Sequence, residues 1–326
     1  MHDVISIGSA TKDVFLISPG FKLIRSKDFP TGFGECFAYG SKVELGDIYF
    51  DTGGGATNSA ATFSNLGLKA AVVSKVGKDI YGLEILHTLS ERGIAIANIA
   101  TDRQHKTAYS TILVMPNGDR TILVYRGASA NFSDQDFHWA KLKAKWFYLT
   151  SLAGNLGLLE KIFNFSKKNK IKISWNPGSD ELKAGQAKLA KLMKQAYVFN
   201  VNREEAEKLT GKKEIRQIFG VINKLSPGFN IVTDGAKGAY LSDGMLIYHC
   251  QARPAAVVNT TGAGDAFGSA FCAGMILKND WDYALRLAML NATGVIQKMG
   301  AKNGLLKHLP RQSDLGKVKI TILSSK

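Results

Sequence analysis

The stretch Asn259-Thr260-Thr261-Gly262-Ala263-Gly264-Asp265-Ala266-Phe267 reads as a loop entering a helix. Unpaired N–H groups and the positive dipole end gather at a helix start, and anions bind there. Gly262 and Gly264 let the backbone approach a phosphate, because no Cβ intervenes. Asp265 falls in the first turn, where the same N–H field keeps a carboxylate ionised. It can then accept a proton from a hydroxyl beside the bound phosphate. Phosphoryl transfer asks for that pairing of anion cradle and base. Taken alone, the stretch is equally well explained as a turn whose acid complements the helix dipole. A dinucleotide site fits less well. Gly262, Gly264 and Gly268 give GxGxxxG and not GxGxxG, and they lie near the C-terminus instead of after the first strand.

A second glycine loop, Gly53-Gly54-Gly55-Ala56-Thr57-Asn58, also runs into a helical pattern. Its backbone can approach a polyhydroxyl ligand, and Asn58 carries both a donor and an acceptor for hydroxyls, or else caps its own helix. Asp13 lies just past the carboxyl end of the first strand-like run, where open α/β sheets bind ligands. It suits two sugar hydroxyls there, or serves as a loop cap. Arg126, after a lid hairpin, is within reach of an acidic substrate, or is simply an exposed edge residue.

These side chains need a scaffold, and the chain alternates short apolar runs with helical patterns. Val4 to Ile7, Ala70 to Ser74, Lys145 to Thr150, Ile171 to Trp175, Tyr197 to Asn200 and Asn230 to Thr233 read as strands of a buried parallel sheet. Tyr81 to Arg92 reads as a helix ended by Gly93. The fold class expected is α/β, a three-layer α/β/α sandwich with a mostly parallel central sheet. Two stretches break the alternation. Phe15 to Phe50 alternates around Phe37 to Val43 and Asp47 to Phe50, and Thr107 to Tyr125 reads as a hairpin turning at Pro116-Asn117-Gly118-Asp119. A small β-sheet lid is therefore expected within one domain spanning 1–326, with lid segments at about 14–50 and 105–126. Val318 to Ile322 is expected to add a strand or to fray.

Composition narrows the classes. Hydrophobic residues at 45% and charged residues at 21% of 326 exclude disorder. Cys36, Cys250 and Cys272 form no CxxC pair, so neither a zinc ribbon nor a disulfide framework is indicated. The six histidines show no ligand spacing, and none is assigned a metal. The net charge of +15 favours anionic ligands without choosing among them. The lysine clusters lack aromatic interleaving, so a nucleic-acid partner is not expected. Without a secretory signal or about 18 consecutive apolar residues, the expected location is cytoplasmic, with no membrane partner.

Five landmarks in order, Gly53-Gly54 to Asn58, Gly77-Lys78-Asp79-Ile80-Tyr81-Gly82, Asn202-Arg203-Glu204-Glu205, Thr233-Asp234-Gly235-Ala236-Lys237-Gly238 and Thr260-Thr261-Gly262-Ala263-Gly264-Asp265, resemble those of the PfkB, or ribokinase-like, kinases over residues 3 to 305. The resemblance implies an ATP-dependent kinase acting on a hydroxyl of a sugar or sugar-like molecule. By it, Asp265 is the base, and the N–H groups of Gly262, Ala263 and Gly264 form the anion hole. Asn202 and Glu205 organise phosphates and Mg²⁺ through water, while Thr233, Gly235, Gly238 and Thr261 line the nucleotide. Asp13, Gly53, Gly54 and Asn58 hold the acceptor. Asn259 departs from the aspartate that most relatives carry at a monovalent-cation position. K⁺ activation is thus expected to be weak or absent, and turnover climbing steeply with K⁺ over a Na⁺ background would count against that. Alternatives are a nucleoside kinase of the same family, with Phe37 or Tyr39 stacking on the base, and a catalytically silent sugar- or nucleotide-binding module. A homodimer through the lid is a further expectation.

Overall fold

The computed structural model describes residues 1–29, 31–115 and 120–323. Its main sheet has ten strands, in the spatial order Ile320–Ile322, Ile247–Cys250, Ala239–Ser242, Phe229–Thr233, Val198–Asn202, Lys172–Trp175, Ala144–Leu149, His2–Ile7, Ala70–Gly77 and Ala95–Asp102. From Phe229–Thr233 onward the strands are parallel, whereas the three at the opposite edge join antiparallel. Parallel strands are covered on both faces, so they read as near-continuous apolar runs. Their alternation still sorts side chains to two cores. Ile5, Ile7, Phe147 and Leu149 face one, and Val4, Trp146 and Tyr148 face the other.

The helix Ala263–Lys278 lies against the second core, with Trp281–Ile296 and Gly55–Asn65 packed on it. Small residues bring these helices together. A Cβ at Gly274 would stand 2.5 Å from the Ala284 Cα. The helix predicted over Tyr81 to Arg92 runs from Ile80 to Glu91, and its cap Asp79 accepts the Gly82 N–H at 2.9 Å. Gly93 follows at φ 68°, as a glycine-terminated helix requires. No helix among the described residues is long and apolar enough to cross a membrane.

A second sheet has the order Asp47–Gly53, Thr11–Ile17, Ala108–Val114 and Arg120–Tyr125. A separate hairpin pairs Lys22–Arg25 with Phe33–Cys36. Two sequence readings need correction here. Phe37 to Val43 forms no strand. Its potential partner runs out at Lys22, which pairs with Cys36, and an alternating pattern without a neighbouring ladder stays irregular. Asp13 is not in a loop after the first strand but inside Thr11–Ile17, opposite Asp51 on one neighbour and Ser110 on the other. The turn read at 116–119 lies outside the described residues. The tail adds the strand Ile320–Ile322 to the edge of the main sheet.

Candidate active site

A cleft of about 340 Å³ opens at the carboxyl ends of the parallel strands. Ser9, Thr150, Asn176, Asn202 and Thr233 line it, each at or just past the end of a strand. The start of the Ala263–Lys278 helix closes one side with Gly262, Gly264 and Asp265. Open α/β sheets bind ligands there because loops and helix N-termini converge at that edge.

The backbone explains the glycine spacing. Gly262 is left-handed at φ 81°, and a Cβ on it would stand 2.5 Å from that of Ala301. Gly264 is exposed, and no atom lies within 4 Å of where its Cβ would stand. The Ala263 N–H closes a turn onto the Thr260 carbonyl at 3.3 Å, so this amide is already engaged. Asn259 is buried, and its Oδ1 accepts the Thr261 N–H at 2.6 Å. That oxygen braces the loop.

Asp265 meets the second glycine loop directly, since Asn58 Nδ2 donates to its Oδ2 at 2.9 Å. Burial pushes the Asp265 carboxyl above its ordinary range, opposed by the Asn58 bond and the Lys302 charge. Asp13 is raised by burial too, with Lys302, Thr11 and Ser110 working against it. Lys302, absent from the sequence reading, is 3% exposed. Its Nζ donates to Asn58 Oδ1 at 2.7 Å and also to the Thr52 carbonyl. Burial lowers its pKa, against the pull of Asp51 and Asp13. Asn58 therefore does not offer both ends of its amide to a ligand. Gly53 and Gly54 bring their backbone against this cluster. A Cβ on Gly53 would stand 1.9 Å from Asp13 Oδ2, and one on Gly54, at φ 95°, would meet the Ser9 carbonyl at 2.5 Å.

At the other end, Asn202 and Glu205 make a capping box. Asn202 Oδ1 accepts the Glu205 N–H at 2.9 Å, and Glu205 Oε2 accepts the Asn202 N–H at 2.9 Å. Both still line the cleft, and burial raises the Glu205 carboxyl. Gly235 and Gly238 do not line it. A Cβ on Gly238 would stand 2.1 Å from the Cys250 carbonyl, so that glycine serves the approach of two strands. Phe37 packs on Phe21, with ring centroids 6.4 Å apart, and borders a different surface cavity.

The arginine singled out from sequence is not the one at the cleft. Arg126 pairs with Asp180 at 3.0 Å. Arg120, at the start of the last strand of the second sheet, lines the cleft and donates from Nη1 to Thr260 Oγ1. Its cue in sequence is its place directly after the turn read at 116–119, which lies outside the described residues. Thr150, Ser151, Asn176 and Asn200 were also missed, although the strand ends bracketed them.

A carboxylate that lines a cleft beside a helix N-terminus, as Asp265 does, can activate a hydroxyl toward an anionic group. The chain matches the family profile described as pfkB family carbohydrate kinase over residues 1–308. A ribokinase of Lactococcus lactis is 28% identical over 85% of this chain and 89% of its own length. A nucleoside kinase of Methanothermobacter thermautotrophicus is 24% identical over 78% and 81%. The ribokinase of Arabidopsis thaliana, solved with ribose and ATP, shares the fold at a TM-score of 0.77 and 22% identity, covering 97% of this chain and 98% of the other.

Proposed function

Given that the chain belongs to the pfkB family of carbohydrate kinases and is an ATP-dependent phosphotransferase, we propose that Asp265 takes the proton from a sugar hydroxyl as that oxygen attacks the terminal phosphoryl group. The observation that carries this reading is the bond between Asn58 and Asp265, which joins the acceptor loop to the helix start lining the cleft. Asp13, Gly53 and Gly54 hold the acceptor from the second sheet and the loop after it. The N–H groups of Gly262 and Gly264 take the charge that builds on the transferred group, with Ala263 joining if its long turn bond yields. Arg120 adds a fixed positive charge from the second sheet. Asn202, Thr233 and Thr261 attend the nucleotide, with Gly235 and Gly238 shaping the backbone around it.

The donor set suits Mg²⁺. Among the described residues no group of three or more His, Cys, Asp or Glu side chains could cage a metal, while Glu205 offers one carboxylate in the cleft. Mg²⁺ keeps much of its water and binds through one or two carboxylates plus phosphates, so Glu205 would hold it through water. The ion would neutralise charge on the phosphates. Asn259 brings an amide oxygen without formal charge, one lone pair of which the Thr261 N–H takes, and this supports weak or absent K⁺ activation.

Exposed Ile48, Tyr49, Phe50, Ile122, Leu123 and Tyr125 on the second sheet support a homodimer through that lid, and light scattering giving only monomer would oppose it. The location in this reading is cytoplasmic, which tagging in cells would test. The test of function is ADP release from Mg-ATP against ribose, fructose, 2-keto-3-deoxygluconate, tagatose-6-phosphate, fructose-6-phosphate, adenosine, cytidine and inosine. Turnover on a sugar supports the reading, turnover on adenosine, cytidine or inosine alone moves it to the nucleoside branch, and ATP binding without turnover on any acceptor favours a silent binding module.

A further inference from the structure

Lys302 comes from the loop after the Trp281–Ile296 helix, which belongs to none of the motifs discussed above. A lysine is almost never this buried without partners. It bridges three elements, with Nζ on the Thr52 carbonyl at the end of the Asp47–Gly53 strand and on Asn58 Oδ1 in the Gly55–Asn65 helix, and Asn58 continuing to Asp265 in the Ala263–Lys278 helix. Strand register adds a reason for its presence. Asp13 and Asp51 stand directly opposite each other, and like charges so placed are destabilising unless a cation intervenes.

The chemistry of an amide gives this chain of contacts a direction. A carboxamide can turn either its oxygen or its nitrogen toward a neighbour. An ammonium has no acceptor and bonds only the oxygen, so the nitrogen must face Asp265, where it donates to the carboxylate. With the lysine gone, the amide is free to turn its oxygen toward Asp265, and lone pairs facing an anion favour the protonated acid.

We propose that Lys302 is a positioning residue for phosphoryl transfer, holding the Asn58 amide in the orientation that keeps Asp265 an ionised hydrogen-bond acceptor. This inference rests on reading Asp265 as the base. The charged and titratable groups facing Lys302 are Asp13, Asp51, Asp265 and, as a like charge, Arg92. Those facing Asp265 are Lys302, Asp13, Glu205 and Tyr148. Lys302 opposes the burial that raises the Asp265 carboxyl, so removing it moves the acid limb of kcat to higher pH.

The experiment is a kcat profile against pH with Mg-ATP and whichever of ribose, fructose or adenosine turns over fastest, for the wild type, Lys302→Met, Lys302→Arg and Asp265→Asn. In Lys302→Met, kcat is expected to fall about tenfold more near pH 6 than near pH 8.5, with ATP affinity unchanged. Lys302→Arg is expected to keep the wild-type limb. If Lys302→Met does not fold, Lys302→Gln, one bond shorter, uncharged and able to accept as well as donate, no longer dictates which end of the Asn58 amide faces it and carries the same comparison. A loss of equal size at every pH overturns the inference and leaves the base reading standing. Undiminished turnover by Asp265→Asn sinks the base reading itself, a separate and recognisable failure.

Discussion

Asn58 and Asp265, 207 positions apart in the chain, meet through a 2.9 Å bond from Nδ2 to Oδ2. That contact brings the two glycine loops together at one edge of the main sheet. Burial disfavours the ionised form of that carboxylate, and the bond offsets part of the cost.

Asp265→Asn is therefore expected to melt above the wild type near neutral pH. An acid whose folded pKa is raised begins to cost stability as pH rises past its unfolded value, costs it in full above the folded value, and costs nothing below the unfolded one. The advantage of the variant should shrink on acidification toward the ordinary carboxylate value of 3.8. Thermal melts of both proteins across that range check this. A variant that melts below the wild type at neutral pH would contradict it.

Gly262 and Gly264 should respond differently to alanine. At 262 a side chain meets both the left-handed backbone and the Cβ of Ala301, so Gly262→Ala should lose about 1–3 kcal/mol of stability. At 264 the space is open and the residue is helical, so Gly264→Ala should match or exceed the wild-type Tm. Its methyl would stand in the space required by the phosphoryl group, and kcat should fall. Equal Tm losses in the two variants would refute the distinction.

Arg120→Ala is expected to lower kcat about 10²-fold with little change in Tm, because the residue sits at the start of an otherwise exposed edge strand and its charge lies at the cleft. Arg120→Lys should recover only part, since an ammonium lacks the planar fork. Unchanged kcat in Arg120→Ala would remove it from the site.

Much of this was legible in the sequence. The apolar runs locate the parallel strands from Phe229–Thr233 to Ala70–Gly77 to within a few residues, because a strand buried on both faces has few alternatives, whereas the edge strand Ala95–Asp102 is only partly buried, carries no such run and was not read. The two glycine loops stood out because close backbone approach and positive φ leave little but glycine. Lys302 was invisible for the opposite reason. Its contacts span 244 and 250 positions, and no local pattern marks a lysine that packing will bury. Asp13 was found, but its strand was not, since that strand exists only by pairing with Asp47–Gly53 and Ala108–Val114. Arg126 stands out in the sequence although Asp180 claims it in the fold, a pairing that sequence does not reveal.

The central claim, that Asp265 removes the acceptor proton, is tested most directly by the kcat of Asp265→Asn beside its ATP affinity. The account predicts a folded variant that binds ATP as the wild type does and turns over at least about 10³-fold more slowly. Near-normal turnover in that folded variant would contradict it.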